Sequence, residues 1–322
     1  MESRRGMATI LAPDAVGSWR RAAGSGPVAV VAGIFDILHP GNLRILREAR
    51  SHGSRVCVLL AGDEGCGSDE VPVHKAPERA EMIAHLRDVD AIALLTQGKI
   101  DAITTALSPY VFIDSGDTFT ATPCLEALHR NAARVVKAPH LPGCDTRDIH
   151  ARMAANRLPI QLPLGWDALA SRDPIIGPAD AIVTVNGCFD ILHIGQLRFL
   201  AQARAFGDRL HVLINSDASV RRYKGATRPV FPAAFRRLAL LSLTLVEAVD
   251  VFDEDEPLAA LARIRPAVHV KGGTFEEERV RHERELLATW GGRLDFCPLV
   301  DGYSTTSYIA KALGLVTLDR TG

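Results

Sequence analysis

The chain has 322 residues, 47% hydrophobic and 23% charged, with a formal net charge of −1. This composition excludes a disordered or fibrous polymer and gives no bulk electrostatic attraction for nucleic acid or an anionic membrane. The length suits two domains of about 100–200 residues each, and no apolar run approaches the roughly 20 residues of a membrane span. Six scattered cysteines show neither C-x-x-C spacing nor a metal-type cluster with histidine. With no apolar core of a secretion signal near Met1, a cytoplasmic protein with reduced thiols is expected.

Residues 1–26 read as an N-terminal extension with a short helix around Asp14 to Ala23. The apolar run 27–34 follows as a strand covered on both faces, the pattern of a parallel sheet. Leu43, Ile45, Leu46 and Ala49 then recur at helical spacing, Gly53 stands at the expected helix end, and 55–60 form a second strand. The same order returns after Asp180: strand 181–185, helix 195–206, strand 210–215.

The correspondence runs residue by residue. Gly41, Leu43, Arg44, Leu46, Ala49, Arg50, Gly53, Arg55, Val58, Leu59 and Asp63 each find the same residue 154 positions on. Similar periodicity would not reproduce those identities, so a βαβ-based domain is duplicated. The domains are expected at 27–155 and 179–322, joined by a Pro- and Gly-rich linker at 156–178 with a short helix at 166–170. Alternating strands and helices predict an α/β fold, two tandem Rossmann-like, doubly wound parallel sheets.

The centre of each half is a strand-to-helix corner: Asn186-Gly187-Cys188-Phe189-Asp190-Ile191-Leu192-His193-Ile194-Gly195-Gln196 in the second, Gly33 to Asn42 in the first. Free N–H groups and the positive helix end converge at such a corner and make it a phosphate site. Further along come Lys224 and the Arg228-Pro229-Val230 loop, Arg236, Lys271-Gly272-Gly273 and Gly302-Tyr303-Ser304-Thr305-Thr306. With these motifs, residues 182–312 resemble the cytidylyltransferase-like nucleotidyltransferases, most of all the adenylyltransferase part of the bacterial heptose-phosphate kinase/adenylyltransferase. Residues 28–153 resemble the same family more faintly.

The resemblance implies attack of a sugar or polyol phosphate on the α-phosphorus of a nucleoside triphosphate, with Mg²⁺ accompanying the triphosphate and pyrophosphate leaving. AMP transfer to a heptose 1-phosphate type of acceptor is favoured, and CMP transfer stays open. It implies catalytic roles for His193, Gln196 and Lys224, and nucleotide binding by Gly187, Cys188, Phe189, Gly195, Lys271, Gly272, Gly273, Ser304, Thr305 and Thr306. Asp190 and Arg236 would face the acceptor. The expected partners are these small molecules and a second copy of the chain in a homodimer.

Two departures stand against the family pattern H-x-G-H: the last position is Gln196 in one half and Asn42 in the other. Replacing a charged donor by an amide costs about 1–2 kcal/mol, or roughly ten- to thirtyfold in rate. The first half keeps Asp36, His39 and Arg79 but has Asp114, Asp145 and Arg147 where the second has Lys271, Ser304 and Thr306. Carboxylates repel a polyphosphate, so the first half is expected to be catalytically silent. The competing reading is a duplicated pseudoenzyme that binds nucleotide or sugar phosphate without turnover.

Overall fold

The computed structural model describes residues 6–63, 72–96, 98–114, 122–138, 141, 143–155, 182–273, 276–300 and 302–315. The expected linker 156–178, with its helix, lies outside them. The chain divides into two compact units, Met1–Thr146 and Arg147–Gly322.

The first unit contains β1 (Thr9–Leu11), a short 3₁₀ turn at Pro13–Ala15, α1 (Val16–Ala22), β2 (Val28–Gly33), α2 (Pro40–His52), β3 (Arg55–Ala61), α3 (Ala76–Ala84) and β4 (Ala91–Leu95). It continues with α4 (Ile100–Leu107), β5 (Val111–Asp114), α5 (Thr122–Asn131) and β6 (Arg134–Lys137); α6 (Thr146–Ala154) starts at the border between units. The sheet order is β1-β4-β3-β2-β5-β6, every pair parallel. Val30 lies opposite Cys57 on one side, and Val31 opposite Ile113 on the other. Val28 to Val31 are fully buried, because a central parallel strand is covered by helices on both faces.

Residues 9–22 correct the expectation of an extension. Thr9 to Leu11 extend the sheet alongside β4, Thr9 opposite Ala91, and Val16 on α1 is fully buried in the core. Three residues with two of them exposed carry too little alternation to be recognised as a strand.

The second unit contains β7 (Ile182–Gly187), α7 (Ile194–Arg204), β8 (Arg209–Asn215), α8 (Asp217–Lys224), α9 (Ala233–Leu241) and β9 (Ala248–Phe252). It ends with α10 (Leu258–Ile264), β10 (Val268–Gly272), α11 (Glu277–Ala288), β11 (Arg293–Cys297) and α12 (Thr305–Ala312). Its sheet, β11-β10-β7-β8-β9, is also parallel throughout and repeats the order of β6-β5-β2-β3-β4. In both units the chain moves outward from the central strand and then returns to that strand's other side. The reversal puts a topological switch point at the carboxyl ends of β7 and β10, and of β2 and β5, the place where open α/β sheets bind their ligands.

Gly53 ends α2 without left-handed backbone, at φ −130°. Glycine is needed for space: a Cβ would lie 2.7 Å from Ala29 Cβ and from the Arg55 carbonyl oxygen. Among the described residues no helix is long and apolar enough to cross a membrane.

Candidate functional site

At the end of β7 the backbone folds back on itself. Phe189 has φ 45° and Phe35, its counterpart after β2, φ 53°, a left-handed conformation costly for an aromatic residue. The ring then lies over the strand end, and a Cβ on Gly187 would stand 3.1 Å from Phe189 Cε2. Gly33 faces Phe35 in the same way at 3.0 Å. The glycine in this motif therefore accommodates the phenylalanine, and the turn aims the next residues at the switch point.

Asp190 is the first correction. Its side chain is fully buried and bonded within the protein: Oδ1 accepts from the Val230 and Phe231 amides at 2.8 and 2.9 Å, and Oδ2 accepts from Arg228 Nε at 2.7 Å. Asp36 likewise accepts from the Val73 and His74 amides at 2.9 and 2.8 Å. Burial pushes the Asp36 carboxyl up, but the hydrogen bonds and charge of His74 with the two amides outweigh it and hold the group below its ordinary value. This aspartate clamps the loop ahead of α9 or α3, and its oxygens are spent on that.

Arg236 is the second correction. Its side chain is fully buried; Nε donates to the Phe231 carbonyl, Nη1 to the Cys188 carbonyl at 2.7 Å, and Nη2 to the Asn215 carbonyl and Asp217 Oδ1. Arg79 repeats this with the carbonyls of His74 and Ile34 and with Asp63. Each arginine ties strand end, motif and loop together, with all three of its nitrogens engaged inside the protein. Asp217, missed in the sequence reading, completes the tie by accepting from the Ala233 amide at 2.8 Å, as Asp63 does from Ala76 at 2.6 Å. The identity of Asp63 and Asp217 across the repeat was the available signal.

His193 caps α7, with Nδ1 accepting from the Gln196 amide at 3.4 Å; His39 caps α2 through the Asn42 amide at 3.3 Å. A ring nitrogen that accepts a backbone N–H carries no proton, so the neutral imidazole holds its proton on Nε2, as a donor. The two amide side chains differ. Asn42 Oδ1 turns back to accept from the His39 amide at 3.2 Å, closing a capping box. Gln196, one methylene longer, does not: its Oε1 is buried without a hydrogen bond. Rotation of that amide presents an N–H donor at the same position.

Two helix N-termini meet at this switch point. A Cβ on Gly195 would lie 2.8 Å from Tyr303 Cβ, so the absence of a side chain lets residues 302–304 pack on the first turn of α7. Ser304 caps α12, its Oγ accepting from the Ser307 amide at 2.9 Å; Thr305 is buried, while Thr306 is exposed. The positive ends of α7 and α12 thus face one region.

Lys224, expected in a loop, is the exposed last residue of α8, followed by Gly225 at φ 89°. Burial pushes the Cys188 thiol up, opposed by the nearby cations of Lys224, Arg236 and Arg228. Cys188, Lys224 and Arg228 therefore share one neighbourhood. Lys271, at the carboxyl end of β10, has Nζ 2.7 Å from Glu283 Oε2. Burial raises the Glu283 carboxyl's pKa and Lys271 draws it back. Gly272 is covered by a side chain, since a Cβ there would meet Leu299 Cδ2 at 2.7 Å. In the first unit Asp114 stands in the place of Lys271, 3.8 Å from His129. Among the described residues no group of three or more histidines, cysteines and carboxylates could hold a metal.

The His193-capped start of α7 lies against the segment that leads into the Ser304-capped start of α12, a pairing of helix N-termini suited to a polyanion. A family model described as cytidylyltransferase-like matches residues 30–154 and 184–311. The bifunctional protein HldE of Geotalea uraniireducens is 48% identical over 130 residues, 40% of this chain and 26% of that protein. The HldE of Acidiphilium cryptum is 50% identical over 126 residues, 39% of this chain and 26% of that one. The HldE of Streptomyces coelicolor is 47% identical over 145 residues, 45% and 31%. The matches span about a quarter to a third of these relatives' length.

Proposed function

Because the chain belongs to the cytidylyltransferase-like family, we propose that its second unit transfers a nucleotidyl group from a nucleoside triphosphate to a sugar or polyol phosphate. An oxygen of the already ionised acceptor phosphate bonds to the α-phosphorus, the bond to the β-phosphate's bridging oxygen breaks, and pyrophosphate leaves with the electron pair. No base is required. The work is positioning two polyanions and neutralising charge in the transition state.

One observation carries the reading: the His193-capped end of α7 and the Ser304-capped end of α12 are packed together through Gly195 and Tyr303. In this assignment the backbone amides at both ends and His193 Nε2–H grip the triphosphate, Lys224 covers it from the end of α8, and Gln196 donates through its amide. Among the described residues no cluster of His, Cys, Asp and Glu would hold a metal, so Mg²⁺ would arrive with the nucleotide and would draw off negative charge there.

The finer reading is AMP transfer to an acceptor of the heptose 1-phosphate type. The motif pattern and the identity to bifunctional HldE proteins support it. The first unit serves as scaffold in this reading: it keeps the Asp36, Asp63 and Arg79 ties, while Asn42's oxygen is bound to its own helix end. The alternative, binding without turnover, is favoured by the amide at the last motif position in both halves.

Incubating the full chain with Mg²⁺, ATP or CTP and a panel of sugar phosphates, and measuring pyrophosphate, tests both readings. Release with ATP and a heptose 1-phosphate, reduced in Lys224→Ala, is expected. Binding of the nucleotide with no release from any pair, in wild type and Gln196→His alike, would establish the alternative.

A further inference from the structure

Arg228 is 8% exposed, and one edge of its guanidinium is accounted for: Nε donates to Asp190 Oδ2 at 2.7 Å. Nη2 is buried and makes no hydrogen bond. A guanidinium carries five N–H donors in a rigid plane, and leaving a charged donor buried without an acceptor is costly. Arg236 in the same unit is the contrasting case of a purely structural arginine, with all three nitrogens hydrogen-bonded.

The clamp that Arg228 touches is made in the first unit with a histidine as a side-chain partner. In the first unit Asp36 holds the equivalent loop through the Val73 and His74 amides, and its side-chain partner is the His74 ring at 3.2 Å. In the register that places Phe231 on His74 and Val230 on Val73, the residue at the place of Arg228 is Val71. The half that has Arg228 is also the half with Lys224 and Ser304-Thr305-Thr306, and the half with valine has Asp145 and Arg147 in place of Ser304 and Thr306. Arg228 also acts with Lys224 on the thiol of Cys188, inside the motif that leads to His193.

We infer that Arg228 is a ligand-binding residue of the second unit, held by Asp190 through Nε so that Nη2 takes a phosphate oxygen. The inference rests on the nucleotidyl-transfer reading and adds to it a specific cationic contact. A rigid fork fixed at one edge gives a directional bond to an oxyanion, and Lys224, on an exposed helix end, supplies charge without that direction. The phosphate can belong to the triphosphate or to the acceptor.

The test is calorimetric titration of the full chain with tripolyphosphate, standing for the triphosphate, and with inorganic phosphate, standing for the acceptor group. Wild type, Arg228→Gln and Arg228→Lys are compared, each with its urea unfolding midpoint. Arg228→Gln should weaken one probe by tenfold or more with the midpoint unchanged or raised, and Arg228→Lys should recover part of the affinity. The weakened probe identifies which phosphate Arg228 holds. Unchanged affinity for both probes, or a loss found only together with a lowered midpoint, overturns the inference alone. A wild type that binds neither probe overturns the nucleotidyl-transfer reading, and this inference with it.

Discussion

His193 combines two duties that substitution can separate. As a cap, its Nδ1 accepts from the Gln196 amide; in the proposed function, Nε2–H is the donor to a phosphate. His193→Ala should cost about 1 kcal/mol in stability from the lost cap and about tenfold or more in turnover from the lost donor. His193→Asn should restore the unfolding midpoint without restoring turnover, which urea titration and pyrophosphate release together would show. For Arg236 the sequence reading and the structure predict different outcomes. A residue binding only an acceptor could be removed without harm to folding, whereas Arg236→Met leaves three carbonyls and Asp217 without their donor. A loss of about 3–5 kcal/mol in urea unfolding is expected. Asp and Arg inside a ligand motif look the same in a sequence whether they touch the ligand or hold the loop; burial and partners separate the two jobs, and those follow from tertiary contacts.

At the scale of elements, the approach of α7 and α12 depends on the missing side chain at Gly195. Gly195→Ala would force the Tyr303 segment away and should weaken triphosphate binding severalfold or more, read as a raised KM, with unfolding only slightly affected. Gly41→Ala, the matching change in α2, should leave turnover intact if the first unit is silent. The pairing of β10 with β7 adds a pH dependence. His269, fully buried, has Nδ1 2.8 Å from Thr184 Oγ1, and burial pushes its pKa from 6.5 down to about 3. Between those values the unfolded chain binds a proton that the folded chain refuses, so stability falls as pH drops through that window and is unaffected by this group above it. By pH 4.5 the loss should reach about 2–3 kcal/mol. Urea titrations of wild type and His269→Leu at pH 7 and 4.5 should show a smaller acid loss in the variant.

In the whole molecule, the duplicated architecture was legible because the repeat preserves what the fold needs: Gly53 where a Cβ would strike β2, Leu46 and Ala49 in the core, and Asp63 and Asp217 at the loop ties. The place of β1 was not legible, since three residues on a sheet edge leave almost no pattern, and the unit border at Thr146 falls ahead of the Pro- and Gly-rich stretch. Of the site, the two helix ends were readable from His193, Gly195 and Ser304, while the condition of Arg228 and Gln196 depends on which buried atoms find partners. The central claim is that the second unit transfers the nucleotide and the first does not. The direct measurement is formation of the nucleotide-linked sugar alongside pyrophosphate in wild type, His193→Ala and His39→Ala. Equal amounts of both products are expected in wild type, with near-wild-type rates in His39→Ala and a loss of tenfold or more in His193→Ala. Equal losses in the two variants, or pyrophosphate without the linked sugar, would contradict the claim.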